Sequence, residues 1–162
     1  NMGQDYRYHH VHLGYNYRMT EIAATIGIKQ LEKVDFIMSD KNRIVEKYNK
    51  GFAGHENISI PYIPEYVTNH AWYMYTITLS DNIDRDTLKN KLKESGIDTR
   101  VSFPPIHIQP FFKDRYHVNS NDFVVSYGAW KKLLNLPIWV GLSEELQDYV
   151  IDNVIKIVDS MS

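Results

Sequence analysis

Apolar residues recur at steps of three and four from Met19 through Ile22, Ala23, Ile26, Leu31, Val34, Ile37, Ile44, Val45 and Tyr48 to Phe52, which is the period of an amphipathic helix. Uninterrupted, that helix spans about 34 residues, or ~50 Å at ~1.5 Å per residue, too long for one small body to cover. It must either kink or bridge between bodies. The whole chain has 162 residues, room for one domain and not for two full-sized ones around a cofactor cleft. Thr20 is the expected N-cap, and Asp35 to Asp40 the expected break. Ahead of the helix, residues 1–18 are rich in Tyr, His and Gly and carry neither helical nor strand periodicity. They read as a segment cut from something longer, and residues 19–53 as a bridging helix.

Beyond the helix the punctuation changes. Gly51 to Pro64 holds two glycines and two prolines and reads as a connector. Trp72, Met74, Thr76 and Thr78 alternate with Tyr73, Tyr75, Ile77 and Leu79, a strand with two usable faces. Asp84 is placed to cap a helix over 85–95 that Gly96 stops. A second strand, Ile97 to Phe103, ends at Pro104-Pro105. A helix over 121–133, a strand over 134–138 and a final helix capped by Ser143 follow, the last with Leu146, Val150, Val154 and Ile157 as its buried stripe. Three strands alternating with three helices predict a small α+β domain over residues 54–162, a three-stranded sheet with helices on one face.

Composition removes several kinds of chemistry. The chain has no cysteine, so it offers no disulfide framework, thiolate metal site or thiol nucleophile. Lys plus Arg number 18 against 20 for Asp plus Glu, a formal charge of −2, which gives no bulk attraction to nucleic acid or to an anionic membrane. No apolar stretch approaches the ~20 residues of a membrane helix, and no secretory signal opens the chain, so a cytoplasmic location is expected. The 12 Tyr against 6 Phe supply many rings whose hydroxyls need partners, as at interfaces and polar clefts.

Few polar groups stand out. His9, His10 and His12 lie close enough to share an ion, but no carboxylate is spaced to complete a shell, and they read as loop histidines; no metal site is expected. Asp35 and Asp40 face no partner acid, which leaves a paired-carboxylate mechanism without support. Lys29, Lys33, Lys41, Lys47 and Lys50 fit a solvated helix face. Gly14-Tyr15-Asn16-Tyr17-Arg18 sits just before a helix N-terminus and presents a carboxamide, a guanidinium and orphan N–H groups together. That is either an anion-holding corner or a capping turn whose Arg makes a structural ion pair. In Phe103-Pro104-Pro105-Ile106-His107-Ile108-Gln109-Pro110 the prolines predict an extended loop, with His107 and Gln109 on a cleft wall or His107 as a buried structural histidine.

The run Leu13-Gly14-Tyr15-Asn16-Tyr17-Arg18-Met19-Thr20-Glu21-Ile22-Ala23-Ala24-Thr25-Ile26-Gly27-Ile28-Lys29-Gln30-Leu31 closely resembles the sugar aminotransferases of the DegT/DnrJ/EryC1/StrS family. Pro105-Ile106-His107-Ile108-Gln109-Pro110, then Leu134-Asn135-Leu136-Pro137-Ile138, look like later landmarks of that family in the right order. The likeness covers essentially the whole chain, against only the C-terminal portion of the family's usual length. Asn1-Met2-Gly3-Gln4 looks like the end of a family segment whose leading Arg is missing.

The resemblance implies a fold-type-I enzyme dependent on pyridoxal 5'-phosphate (PLP). Such an enzyme moves an amino group, usually from glutamate, to a keto group on a nucleotide-linked sugar, and works as a homodimer in polysaccharide biosynthesis. Residues 1–18 would then continue from a missing large, PLP-binding domain, and residues 54–162 would be the small domain. The Schiff-base lysine is implied upstream, so no catalytic residue is expected in this chain, which alone would neither bind PLP nor catalyse. Asn16 resembles the asparagine that reaches the cofactor phosphate of the dimer partner, with Arg18 supporting that phosphate or the sugar nucleotide's anion. His107 and Gln109 match the loop beside the sugar, and Tyr8 and His10 are further substrate-side candidates. Two alternatives stand beside this reading. One is a sugar dehydratase of the same family in which histidine replaces the lysine; the other is a free-standing, non-catalytic association module. The aminotransferase reading predicts that Ile22, Ile26 and Leu31 are left uncovered; the module predicts that they are not.

Overall fold

A computed structural model describes residues 2–162, the side chains of residues 120 and 121 excepted. Asn1, the first residue of the stretch compared above with a family segment, lies outside the described residues. The chain divides into two units, residues 1–37 and 38–162.

In the first unit, β1 (Gln4–Tyr6) pairs antiparallel with β2 (His9–His10), with an irregular register between Gln4↔His10 and Tyr6↔His9. The sequence shows no alternation here because the hairpin has no buried face; both strands are exposed throughout. Helix α1 (Glu21–Leu31) opens as expected at Thr20, whose hydroxyl accepts from the Ala23 amide at 3.2 Å. The break comes at Glu32–Lys33, not within Asp35 to Asp40, and α2 (Val34–Phe52) follows. No Pro or Gly marks it. Glu32 keeps right-handed helical dihedrals (φ −59°, ψ −20°), and the Lys33 amide donates to the Gln30 carbonyl at 3.0 Å. The chain is tightened through one three-residue bond, a change with no sequence signal.

The second unit takes up the rest of α2, whose Ile44, Val45, Tyr48 and Phe52 are buried on one face. Its sheet has the order β3 (Ile58–Ser59), β4 (Tyr75–Leu79), β6 (Leu133–Leu136), β5 (Arg100–Val101), antiparallel at every pairing. Four strands replace the expected three, since the connector supplies β3. Strands β4 and β5 both run antiparallel to β6, so they are parallel to each other and joined across it by α3 (Arg85–Glu94), a split β-α-β unit. Tyr75, Ile77 and Leu79 point into the core with Leu134 and Leu136, against α2, α3 and α6 (Glu144–Asp159). Two of the twelve tyrosines thereby become core residues. Tyr48 and Tyr75 stack at 4.8 Å and donate to the Pro137 carbonyl and to Asn49 Oδ1, each at 2.8 Å. Burial pushes both phenols above their ordinary pKa.

Three further expectations are corrected, and one unassigned stretch proves helical. The strand begins at Tyr75 and not at Trp72, because Trp72 is left-handed (φ 46°) and cannot extend the ladder. The segment after Pro110 is helical, α4 (Pro110–Tyr116), with proline in the first turn. The next helix, α5 (Val124–Lys132), follows a 3-10 turn over Ser120–Phe123 and runs directly into β6. The buried stripe of α6 is Gln147, Val150, Ile151, Val154 and Val158, whereas Leu146 is 52% exposed. The stripe turns because Gln147 is drawn inside, where its amide donates to the Ile44 carbonyl.

Helix α3 matches the reading at both ends. The Asp84 carboxylate accepts from the Thr87 amide at 2.7 Å. At the other end Gly96 N donates to the Lys93 carbonyl and Ile97 N to the Leu92 carbonyl, closing the helix with Ile97 buried beside Leu92. The bonds from Thr87 hold the Asp84 carboxyl below its ordinary pKa. Since the folded value lies below the unfolded one (about 3.9), this contribution is present above that pH and is lost as acid protonates the folded carboxylate. Asp84→Ala is expected to cost about 1 kcal/mol at pH 7 and almost nothing near pH 2, read from urea midpoints. An equal cost at both pH values would contradict this account.

Candidate functional site

The corner at Gly14 to Arg18 is built by the turns on either side of it. Asn16 is left-handed (φ 60°), a conformation its short polar side chain tolerates better than most. Its carbonyl accepts from the Arg18 amide at 2.8 Å, which folds the chain tightly two residues before Thr20 caps α1. Tyr15 and Tyr17 stack at 5.7 Å on the same turn. The Asn16 and Arg18 side chains are exposed, and among the described residues neither has a hydrogen-bond or ion-pair partner. Of the two readings of this corner, the structural ion pair is thus not made within the described chain. A carboxamide and a guanidinium, both without a partner among the described residues, are thus carried on the few residues that lead into the positive end of an eleven-residue helix.

Tyr8 and His10 sit in the same unit, on the hairpin. Tyr8 is left-handed at the turn (φ 66°), and its hydroxyl accepts from Arg7, whose guanidinium also lies 4.9 Å from the Tyr8 ring centre. His10 uses both ring nitrogens inside the hairpin: Nδ1 lies 2.9 Å from the Met2 carbonyl and Nε2 3.1 Å from Gln4 Nε2. One tautomer satisfies both, with Nδ1 donating and Nε2 accepting. His9 pairs with Asp5 at 2.8 Å, and that bond lowers the Asp5 pKa. Among the described residues no three His, Asp or Glu groups come together as a metal site.

His107 and Gln109 belong to the second unit. The expected extended loop is a 3-10 turn over Ile106–Ile108, and Gln109 forms the entry to α4, its carbonyl accepting from Lys113. Two consecutive prolines set the approach to the turn, and a helix begins directly behind it, so the segment is helical where an extended loop was expected. His107 is only 7% exposed and stacks on Phe123 at 4.8 Å with Tyr127 at its edge. Its buried Nε2 has no hydrogen-bond partner among the described residues, an arrangement that native proteins keep to a few atoms. Asp40 is structural: it accepts from the Gly141 amide and from Arg43, and the Gly141 bond is the main cause of its lowered pKa.

Sequence reasoning passed over a cavity of about 650 Å³ beside β5. Tyr73, Arg100, Phe103 and Trp139 line it, above Leu142 and Val150. Its only sequence signal is the cluster of large aromatic residues next to strand ends, which core packing explains equally well.

The sequence matches the model of the DegT/DnrJ/EryC1/StrS aminotransferase family over residues 1–155. It is 34% identical to a GDP-perosamine synthase of Caulobacter vibrioides over 93% of this chain and 40% of that protein. A GDP-perosamine synthase of Escherichia coli O157:H7 is 31% identical over 91% of this chain and 39% of that protein. The fold superposes on DesV of S. venezuelae with a TM-score of 0.83 at 25% identity, over 98% of this chain and 42% of the other. The chain thus spans about 40% of the length of the curated relatives it matches, and the part matched is the C-terminal one. No helix among the described residues is long and apolar enough to cross a membrane.

Proposed function

The chain belongs to the DegT/DnrJ/EryC1/StrS aminotransferase family, and from that premise we propose that it is the C-terminal part of a PLP-dependent enzyme. The enzyme transfers an amino group from glutamate to a keto group on a nucleotide-linked sugar, and it acts as a homodimer in the cytoplasm. The observation that carries this reading is the open corner at Asn16 and Arg18, unpaired among the described residues and set before the N-terminus of α1. The donor set fits a phosphate dianion: a carboxamide N–H, a planar guanidinium fork and backbone N–H groups all favour a doubly charged oxyanion. When bound, PLP supplies the electron sink for amino transfer. Asn16 holds the cofactor phosphate of the dimer partner, and Arg18 braces that phosphate or the diphosphate of the sugar nucleotide. The turn that carries His107 and Gln109 lies beside the sugar, and Tyr8 and His10 are further substrate-side residues.

The lysine that holds the cofactor lies upstream. All twelve lysines here are in helices or, for Lys33, at the α1–α2 break, and none follows a strand in a short polar turn. On this reading residues 1–162 alone are inactive and retain no PLP. Helix α1 supports the reading too. It buries no residue, and Ile22, Ile26 and Leu31 are 76%, 60% and 71% exposed, the uncovered face expected if a large domain or partner subunit normally covers it. The free-standing module predicts the reverse.

The test is the full-length protein incubated with PLP, glutamate and nucleotide-linked keto-sugars, with mass spectrometry of the sugar product. A product carrying nitrogen in place of the keto oxygen supports the proposal. A dehydrated sugar, with histidine at the upstream position, assigns the chain to the family's dehydratases instead.

A further inference from the structure

Two glycines far apart in sequence touch backbone to backbone in the first unit. A Cβ on Gly14 would lie 2.1 Å from the Gly3 nitrogen and 2.2 Å from the Met2 carbonyl carbon. A Cβ on Gly3, itself left-handed at φ +76°, would lie 1.7 Å from the His12 carbonyl oxygen. The Gly3 carbonyl meanwhile accepts from the amides of Val11 and His12 at 2.8 and 3.1 Å. All the obstructing atoms are main chain, so no rotamer change makes room. The hairpin is closed at its base by a clasp that only glycine fits.

That clasp is one end of a short bridge. Asn16 and Arg18 lie between Gly14, fixed on the hairpin, and Thr20, fixed on α1 by the bonds its hydroxyl and carbonyl accept from the Ala23 and Ala24 amides. Inside the bridge the Arg18 amide is bonded to the Asn16 carbonyl. The two side chains have no partner to orient them, so their direction is set by the backbone that carries them.

We infer that Gly3 and Gly14 are positioning residues, whose close contact holds the Asn16–Arg18 bridge in the shape that receives a phosphate dianion. The inference rests on the functional reading above for the identity of that anion, and on the clasp alone for the geometry.

Gly14→Ala in the full-length protein is the test, with Gly27→Ala as control, since a Cβ on Gly27 meets nothing within 4 Å. Hydrogen exchange of the PLP-free protein and PLP binding are measured on both. Gly14→Ala is expected to speed exchange across residues 11–20 and to weaken PLP binding about tenfold or more, the usual effect of a misplaced binding group. Exchange in β4 and α6 and the behaviour of Gly27→Ala stay at wild type. Thr20→Val, which loosens the other end of the bridge without a clash, is expected to shift PLP binding in the same direction by roughly fivefold. Adding Gly14→Ala to Asn16→Ala is expected to cost clearly less than Gly14→Ala costs alone, because a positioning residue acts only through the groups it positions and of those only Arg18 then remains. Unchanged exchange across 11–20 in Gly14→Ala, or fully additive losses in the double variant, overturns the inference. If the wild-type protein takes up no PLP, it is the functional reading that falls, while the exchange data still decide the clasp.

Discussion

Trp72→Ala is expected to destabilise the second unit by about 3–5 kcal/mol, the range for removing a large buried aromatic. Trp72 is 4% exposed, its ring stands 4.1 Å from His70 and 6.2 Å from Tyr75, and its indole N–H donates to Asn42 Oδ1 at 2.9 Å. Truncation leaves a void beside Tyr75 and an Asn42 acceptor without its donor. Against a total stability of about 5–15 kcal/mol, the loss moves the urea midpoint far down. The backbone sharpens the prediction. Trp72 is left-handed at φ 46°, held there by its amide donating to His70 Nδ1 at 3.0 Å and its carbonyl accepting from Lys41 at 2.9 Å. Alanine is strained at that φ and glycine is not, so Trp72→Gly is expected to be about 1 kcal/mol more stable than Trp72→Ala. At an ordinary strand position the order is the opposite. Finding alanine the better replacement would show that the bonds to His70 and Lys41 do not fix the left-handed turn.

How much of this was legible in the residues depends on whether the signal was local. Thr20, Asp84 and Ser143 accept from amides three positions on, and Gly96 donates its own N–H to a carbonyl three positions back, so their side-chain chemistry or missing Cβ identifies the helix ends they occupy. The alternation from Tyr75 to Leu79 is equally local, since a strand packed on one face buries every second residue. Features decided by tertiary partners were not legible. Trp72 looks like a strand residue until Lys41, Asn42 and His70 are brought around it. Gln147 reads as a solvated position until the Ile44 carbonyl offers an acceptor inside, and its burial turns the whole α6 stripe. Helix α4 was within reach, because Pro110 suits a first helical turn; the neighbouring prolines pointed instead to a loop. In the candidate site, residue types marked Asn16 and Arg18, but only the fold shows them unpaired and the Gly3–Gly14 contact behind them.

Asn16 carries the largest functional prediction. In the full-length protein Asn16→Gly is expected to weaken PLP binding by about 10- to 100-fold, the worth of a hydrogen bond to a charged group. Glycine is the informative replacement because it keeps the left-handed backbone (φ 60°) and deletes only the carboxamide. Asn16→Ala adds backbone strain of about 1 kcal/mol and is expected to bind several-fold worse again. Asn16→Asp preserves size and turn propensity but sets a carboxylate against a phosphate dianion, so it is expected to bind worst of the three. Salt separates the causes: raising ionic strength is expected to recover part of the loss in Asn16→Asp and little of the loss in Asn16→Gly, because screening weakens repulsion more than it restores a missing donor. The order Gly, Ala, Asp from mildest to most severe requires Asn16 to act by donating to an anion from a strained turn. If Asn16→Asp binds PLP as well as wild type, the anion lies elsewhere, and the open corner ahead of α1 is not the phosphate site.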